Sequence, residues 1–231
     1  MNILEVKNID KSFDGKKIID NVSFSIKPGK IVGLLGKNGS GKTTIIKMIN
    51  DLLTIDKGEI LINGEKISDK TKALVSFLPE RTYLDSSQTV AEVFKFFQEF
   101  YSDFDRKKAE ALLKDLELDI NSKLAKMSKG MKEKIQLVLV MSRKAKLYIL
   151  DEPLGGVDPI TRDHIMKTIL SNFGEDSSLL ITTHLIADVE KILDEVIFID
   201  KGKIVLNEDA DTLRTKEKQS IDEIFRRKVK W

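Results

Sequence analysis

Two hydrophobic periods share the 231 residues. In "ILEVKNIDKSF" and "NVSFSIK" apolar and polar positions alternate with period two, which predicts two strands near the start of the chain. Pro28-Gly29 then supplies a turn. "IVGLLG" (Ile31–Gly36) reads as a short buried strand running into a glycine-rich loop, and "TTIIKMINDLL" as the helix after it. "GEILINGEKI" predicts a hairpin, because Asn63-Gly64 is the pair favoured at a two-residue tip. "ALVSFLPE" predicts one more strand.

From about Gln88 to Lys144 the period becomes helical, in "TVAEVFKFFQEFY", "RKKAEALLKDLEL" and "SKGMKEKIQLVLVMSRK". Strand and helix then alternate. "KLYILDEP" and "SSLLITTH" read as buried strands, "PITRDHIMKTILSNF" and "LIADVEKILDE" as helices, and "VIFIDKGKIVLNE" as a second hairpin. A last helix is expected over roughly Asp211–Val229. There is no internal repeat. The simplest account is one α/β domain over 1–231, with a body at 1–87 and 145–231 and a helical insertion at 88–144.

Composition narrows the classes. A hydrophobic share of 41% and a charged share of 33% describe a globular chain, and 39 basic against 37 acidic residues leave a net charge of only +2. No nucleic-acid partner is expected from that balance. The absence of cysteine excludes disulfides and thiolate metal sites and fits a reducing compartment. No apolar run approaches the ~20 residues of a bilayer span, and "MNILEVKNIDKSF" has no signal-peptide pattern. The expectation is a soluble chain whose membrane role, if any, passes through a partner.

The first chemical signal is "GKNGSGKTT": Gly36, Lys37, Asn38, Gly39, Ser40, Gly41, Lys42, Thr43 and Thr44. It matches G-x-x-x-x-G-K-[ST] between a buried strand and a helix, the context that a phosphate loop requires. Glycines let successive amides turn toward one point, and the helix dipole adds to the field. Lys42 brings a mobile cation to terminal phosphates, and the Thr43 hydroxyl can ligate Mg²⁺. No N-K-x-D element follows, which favours adenine over guanine.

"LYILDEP" ends a strand with adjacent carboxylates, Asp151 and Glu152. Strand neighbours point oppositely, so the two cannot share one task. At the carboxyl end of a parallel strand, Asp151 can support Mg²⁺ while Glu152 orients or deprotonates a water. The other reading is a strand end with two solvated acids. "AKMSKGMKEKIQ" poses a different question, because Ser128, Lys129 and Gly130 open a second helix whose free amides suit an anion.

With Met127–Met131 lying between the phosphate loop and "ILDEP", the chain resembles the ATP-binding cassette ATPases, the nucleotide-binding subunits of ABC transporters, over nearly its whole length. The resemblance implies a P-loop NTPase core with an antiparallel β subdomain and an inserted α-helical subdomain. It implies ATP and Mg²⁺ as cofactors, a membrane-spanning permease as partner, and a second nucleotide-binding subunit in a homodimer or heterodimer. Residue by residue, it makes Phe13 the aromatic stacked on adenine. Glu80 falls in the loop that usually carries glutamine, where it joins Thr43 and Asp151 as a metal ligand. His184 falls at the switch histidine, and "GGVDP" (Gly155–Pro159) at the loop that brings Asp158 to the catalytic set with Lys42, Glu152 and His184. Ser128, Lys129 and Gly130 would meet a nucleotide held by the other subunit. ATP would then fasten two chains, and hydrolysis would release them.

Departures from the pattern keep alternatives open. Lys129 interrupts the usual L-S-G-G-Q and can serve either phosphate or solvent. Glu80 can act on metal and water, or in coupling to the permease. Phe13 can stack on adenine or sit in the core. The cluster Phe94, Phe96, Phe97, Phe100 and Tyr101 is too broad for one apolar stripe and divides between core and a groove for a permease helix. The basic tail "FRRKVKW" can be a solvated helix end or a contact with an anionic surface. The "SKGM" wording tilts toward bacterial exporters of drugs, peptides or lipids, working at the inner face of the cell membrane. The competing classes are a soluble ABC-type switch and the hydrolysis-poor half of a heterodimer.

Overall fold

The computed structural model describes residues 1–155, 158–174 and 176–229; Gly156, Val157 and the terminal Trp231 named above lie outside the described residues. Two long strands, β1 (Leu4–Phe13) and β2 (Lys16–Ile26), come first. β3 (Ile31–Leu35), helix α1 (Lys42–Ile49), β4 (Lys57–Ile62) and the short β5 (Glu65–Lys66) follow. β1 is the hinge of an antiparallel sheet of order β2-β1-β4-β5, with Leu4 opposite both Ile26 and Ile62. At the β4–β5 tip Asn63 and Gly64 have φ of 51° and 77°, the left-handed pair of a two-residue hairpin.

Next come α2 (Asp69–Lys72), β6 (Val75–Leu78), α3 (Val90–Phe100), α4 (Arg106–Asp115) and α5 (Lys129–Met141). The chain then alternates through β7 (Leu147–Asp151), α6 (Pro159–Asn172), β8 (Ser178–Thr183), α7 (Ile186–Val189), β9 (Glu195–Asp200) and β10 (Lys203–Asp209). It ends in α8 (Ala210–Glu217) and α9 (Ile221–Lys228). The second sheet has the order β10-β9-β3-β8-β7-β6 and is parallel except for β10. Strands β7 and β8 are buried at every position, as continuous apolar runs must be when both faces of a sheet are covered.

Two cores meet at that sheet. On one face, Ile45, Ile46, Met48 and Ile49 of α1 pack between the sheets against Leu4, Val6, Val32, Leu34 and Leu180. On the other, Leu150, Ile181 and Phe198 pack against α3, α5 and the terminal helices. This sandwich packs α1 between the two sheets. No helix among the described residues is long and apolar enough to cross a membrane.

Three helical expectations are corrected. The terminal helix is broken: α8 stops at Glu217, Lys218 is left-handed with φ 53°, and Ser220 starts α9 in a capping box with Glu223. The S-x-x-E of "SIDE" is that signal, and a reciprocal cap offsets the cost of restarting a helix. The helix read over "LIADVEKILDE" is only α7, followed by a tight turn over Glu190–Ile192. α1 stops at Ile49, because Asp51 takes a left-handed φ of 58°.

Candidate functional site

The loop from Gly36 to Gly41 joins β3 to α1. A Cβ on Gly36 would lie 2.5 Å from Ser40 Oγ and 2.7 Å from the Ile199 carbonyl oxygen, so only glycine fits where β3 ends. Gly41 precedes α1 at φ 111°, and no side chain caps that helix. Its first-turn amides are therefore left to a ligand. Ser40 Oγ is buried within the loop and has no hydrogen-bond partner.

Lys42 reaches back under this loop, and its Nζ donates to the carbonyls of Gly36 (2.7 Å) and Lys37 (3.2 Å). Nζ also lies 3.1 Å from Glu152 Oε1, with both side chains almost wholly buried. That contact is an ion pair without a hydrogen-bond angle, since Oε1 is enclosed and accepts no hydrogen bond. The other oxygen, Oε2, is 2.9 Å from His184 Nδ1 and takes the His184 amide at 3.3 Å. Three residues from the ends of β3, β7 and β8 thus converge on one point.

Glu152 reaches that point by a backbone turn. Alternation along β7 predicts that Asp151 and Glu152 diverge; in the structure β7 ends at Asp151, and Glu152 diverges through a left-handed φ of 50°. A non-glycine residue there costs about 1–3 kcal/mol, and such strain gathers at functional sites. The turn is pinned because Glu152 N donates to the Thr182 carbonyl (3.0 Å) and to Thr182 Oγ1 (3.2 Å).

Asp151 faces the other way and accepts from the Thr182 hydroxyl. Burial pushes its carboxyl up, the Thr182 and Thr43 hydroxyls pull it down, and the charges of Glu152 and Glu80 add to the rise. A buried acid pressed by two other acids and reached by the Thr43 hydroxyl fits a hard divalent cation. Mg²⁺ takes one or two carboxylates plus substrate phosphates rather than an all-protein cage. No cluster of three or more His, Cys, Asp or Glu side chains suited to a metal occurs among the described residues. Glu80 is exposed on the bend after β6 and lines one crevice with Asp151 and Glu152.

Other expected residues stand elsewhere. Ser128 caps α5 by accepting from Met131 N at 3.3 Å, Lys129 pairs with Glu133 at 3.6 Å, and a Cβ on Gly130 would meet open space. Their hydrogen bonds and ion pairs stay within α5, so in a single chain they are not part of the Lys42 cluster. Phe13 ends β1 with a 44% exposed ring and Lys11 Nζ 5.5 Å from its centroid. It is not core. Asp158 caps α6, accepting from the amide of Thr161 at 3.1 Å and its hydroxyl at 2.7 Å. The aromatic cluster divides: Phe94 and Phe97 are buried, whereas Phe96 (54%) and Phe100 (67%) are exposed and line a cavity of about 870 Å³ with Leu52, Phe77, Tyr83 and Tyr101.

The family model for ABC transporters matches residues 19–155, which run from β2 through the phosphate loop and both acids. The chain belongs to the ABC transporter family. The ABC transporter ATP-binding protein YtrB of Bacillus subtilis (strain 168) is 31% identical over 215 residues, covering 92% of this chain and 74% of YtrB. The SkfA peptide export ATP-binding protein SkfE of the same organism is 32% identical over 211 residues, 89% of this chain and 88% of SkfE. A solved ATP-binding subunit of an ABC transporter superposes with a TM-score of 0.90 at 27% identity, covering 99% of this chain and all of that one. The fold is thus the ABC ATPase fold, and the chain is an ATP-binding subunit whose ATPase activity powers transport.

Sequence reasoning missed one support of this ABC site. Thr182 holds both acids from the neighbouring strand, and a threonine at the end of an apolar run was the available sign.

Proposed function

We propose that this subunit hydrolyses Mg-ATP between two nucleotide-binding subunits seated on a membrane permease, and that the transporter works in export. The convergence of Lys42, Glu152 and His184 carries the hydrolytic part. Glu152 takes a proton from the attacking water, Lys42 holds the terminal phosphoryl charge, and His184 hydrogen-bonds the γ-phosphate. Thr43 and Asp151, with Glu80 on the same crevice, would hold Mg²⁺, which would supply charge neutralisation for the phosphates of the nucleotide. The amides of Gly36–Thr44 cradle the phosphates, and the exposed ring of Phe13 stacks on adenine. Asp158 contributes by fixing the start of α6.

Ser128, Lys129 and Gly130 are surface groups at a helix start with no phosphate of their own to bind, which supports a role on the nucleotide of a second subunit. The segment 88–144 then acts as the subdomain that presents them. The cavity lined by Phe96 and Phe100 is an exposed aromatic groove suited to an apolar helix of the permease. Docking there puts the subunit at the inner face of the membrane. Export is favoured by relatives such as SkfE, a peptide export ATP-binding protein, and LptB of Haemophilus influenzae, a lipopolysaccharide export system ATP-binding protein.

Gel filtration of Glu152→Gln with Mg-ATP tests the reading. The expected result is a dimer that disperses when nucleotide is removed. A variant that binds saturating nucleotide yet elutes as a monomer would sink the shared site.

A further inference from the structure

Every residue of α5 from Ile135 to Met141 is buried, and six of the seven are apolar. The exception is Gln136, only 2% exposed, whose Nε2 is enclosed and has no hydrogen-bond partner among the protein groups. An unsatisfied buried amide is costly, and leucine would extend the run of apolar neighbours at no such cost. A polar side chain kept against stability calls for a ligand or a task.

What Gln136 faces is specific. It lines a cavity of about 20 Å³ together with Glu80, Glu133, Asp151 and Glu152. Roughly 10–15 Å³ is enough for one water, provided that polar partners surround it. Glu152 Oε1, on the same lining, is likewise enclosed and accepts no hydrogen bond, so a water here can accept from the amide while donating to a carboxylate.

We propose that Gln136 is a positioning residue, holding a water in this cavity that fixes the carboxylates of Asp151 and Glu152 relative to α5. The proposal rests on the hydrolytic reading of those two acids. Its consequence is mechanical. Gln136 stands two turns beyond Ser128, so the helix that starts at the signature residues is tied to the acids at the end of β7. Lys129 pairs with Glu133, which lines the same cavity, so the start of α5 also reaches it along one helix.

Steady-state ATP hydrolysis by the purified chain tests this with Gln136→Leu and Gln136→Met beside Glu152→Gln. Both Gln136 variants should lose about tenfold in kcat, as outer-shell partners typically do. KM should stay within about twofold, since no substrate contact is removed. Their melting temperatures should equal or exceed that of the wild type, which separates positioning from packing. A folded variant with wild-type kcat overturns the proposal. So does failure of both variants to fold, which would make Gln136 structural. Glu152→Gln turning over at the wild-type rate would instead overturn the reading underneath. A high-resolution crystal structure of the wild type should place a water within about 3.2 Å of the Gln136 amide nitrogen; a dry cavity there overturns the proposal.

Discussion

Lys42 Nζ lies 3.1 Å from Glu152 Oε1, so the cation proposed to hold a terminal phosphate is paired with the carboxylate proposed to activate water. In the free chain that carboxylate serves as an internal counter-ion. An incoming triphosphate therefore competes with this carboxylate for Lys42.

Neutralising the acid should therefore separate binding from turnover. Glu152→Gln is expected to bind a non-hydrolysable ATP analogue about three- to tenfold more tightly, on the order of 1 kcal/mol. Hydrolysis should fall by roughly a hundredfold or more as the general base is lost. Fluorescence titration and phosphate release measure the two. Unchanged or weaker analogue binding would show that the carboxylate does not compete for Lys42.

The loop beneath this pair depends on a close approach. A Cβ on Gly36 would meet Ser40 Oγ at 2.5 Å and Ile199 Cγ2 at 2.7 Å, neither able to retreat in a packed core. Gly36→Ala should lose about 1–3 kcal/mol of stability, as overpacked interiors do. Nucleotide affinity should fall with it, because the amides of the loop would no longer converge. Denaturant unfolding with and without ATP tests this, and a variant of wild-type stability would place the strain elsewhere.

How far all this could be read from the sequence depended on where each cause lay. The phosphate loop was legible because strand, loop and helix are each a local pattern and occur in register. The Asn63-Gly64 hairpin was legible for the same reason. The opposed directions of Asp151 and Glu152 were anticipated, but on the wrong ground: β7 stops, and a left-handed residue pinned by Thr182 does the work. Thr182 is 31 residues from Asp151, so nothing local announces it. The break between α8 and α9 was legible in principle, since "SIDE" is a capping box, yet apolar spacing across it hid the signal. The placement of Ser128 away from Lys42 follows from tertiary packing alone.

Phe96 and Phe100 stack with ring centroids 5.9 Å apart on the outer face of α3, while Phe94 and Phe97 carry the packing. Replacing the outer pair with serine removes surface that is more than half in water, so stability should fall by no more than about 1 kcal/mol. Co-purification with the permease, in contrast, should be lost, because exposed aromatics are the natural anchors of such a groove. A double variant that retains its membrane partner at wild-type stoichiometry would move the docking surface elsewhere.

Arg143 joins the helical insertion to the parallel sheet. Its guanidinium donates to Asp103 through Nε (3.0 Å) and one terminal nitrogen (3.1 Å), and to the carbonyls of Val75 (2.7 Å) and Ala73 (2.8 Å) at edge strand β6. It also stacks over the Tyr101 ring at 4.0 Å, the ring that closes one side of the aromatic cavity. Only a planar fork can make these contacts together, and a lysine ammonium cannot. Arg143→Met leaves Asp103 partly buried without its cation and frees two backbone carbonyls, so a loss of about 3–5 kcal/mol is expected. Arg143→Lys should recover part of that loss but not the stacking. If the subdomain is held against β6 through this residue, hydrogen exchange in α3 and α4 should quicken in both variants while exchange in α1 stays slow. Uniform acceleration across the chain would mean that Arg143 supports global stability and not that junction.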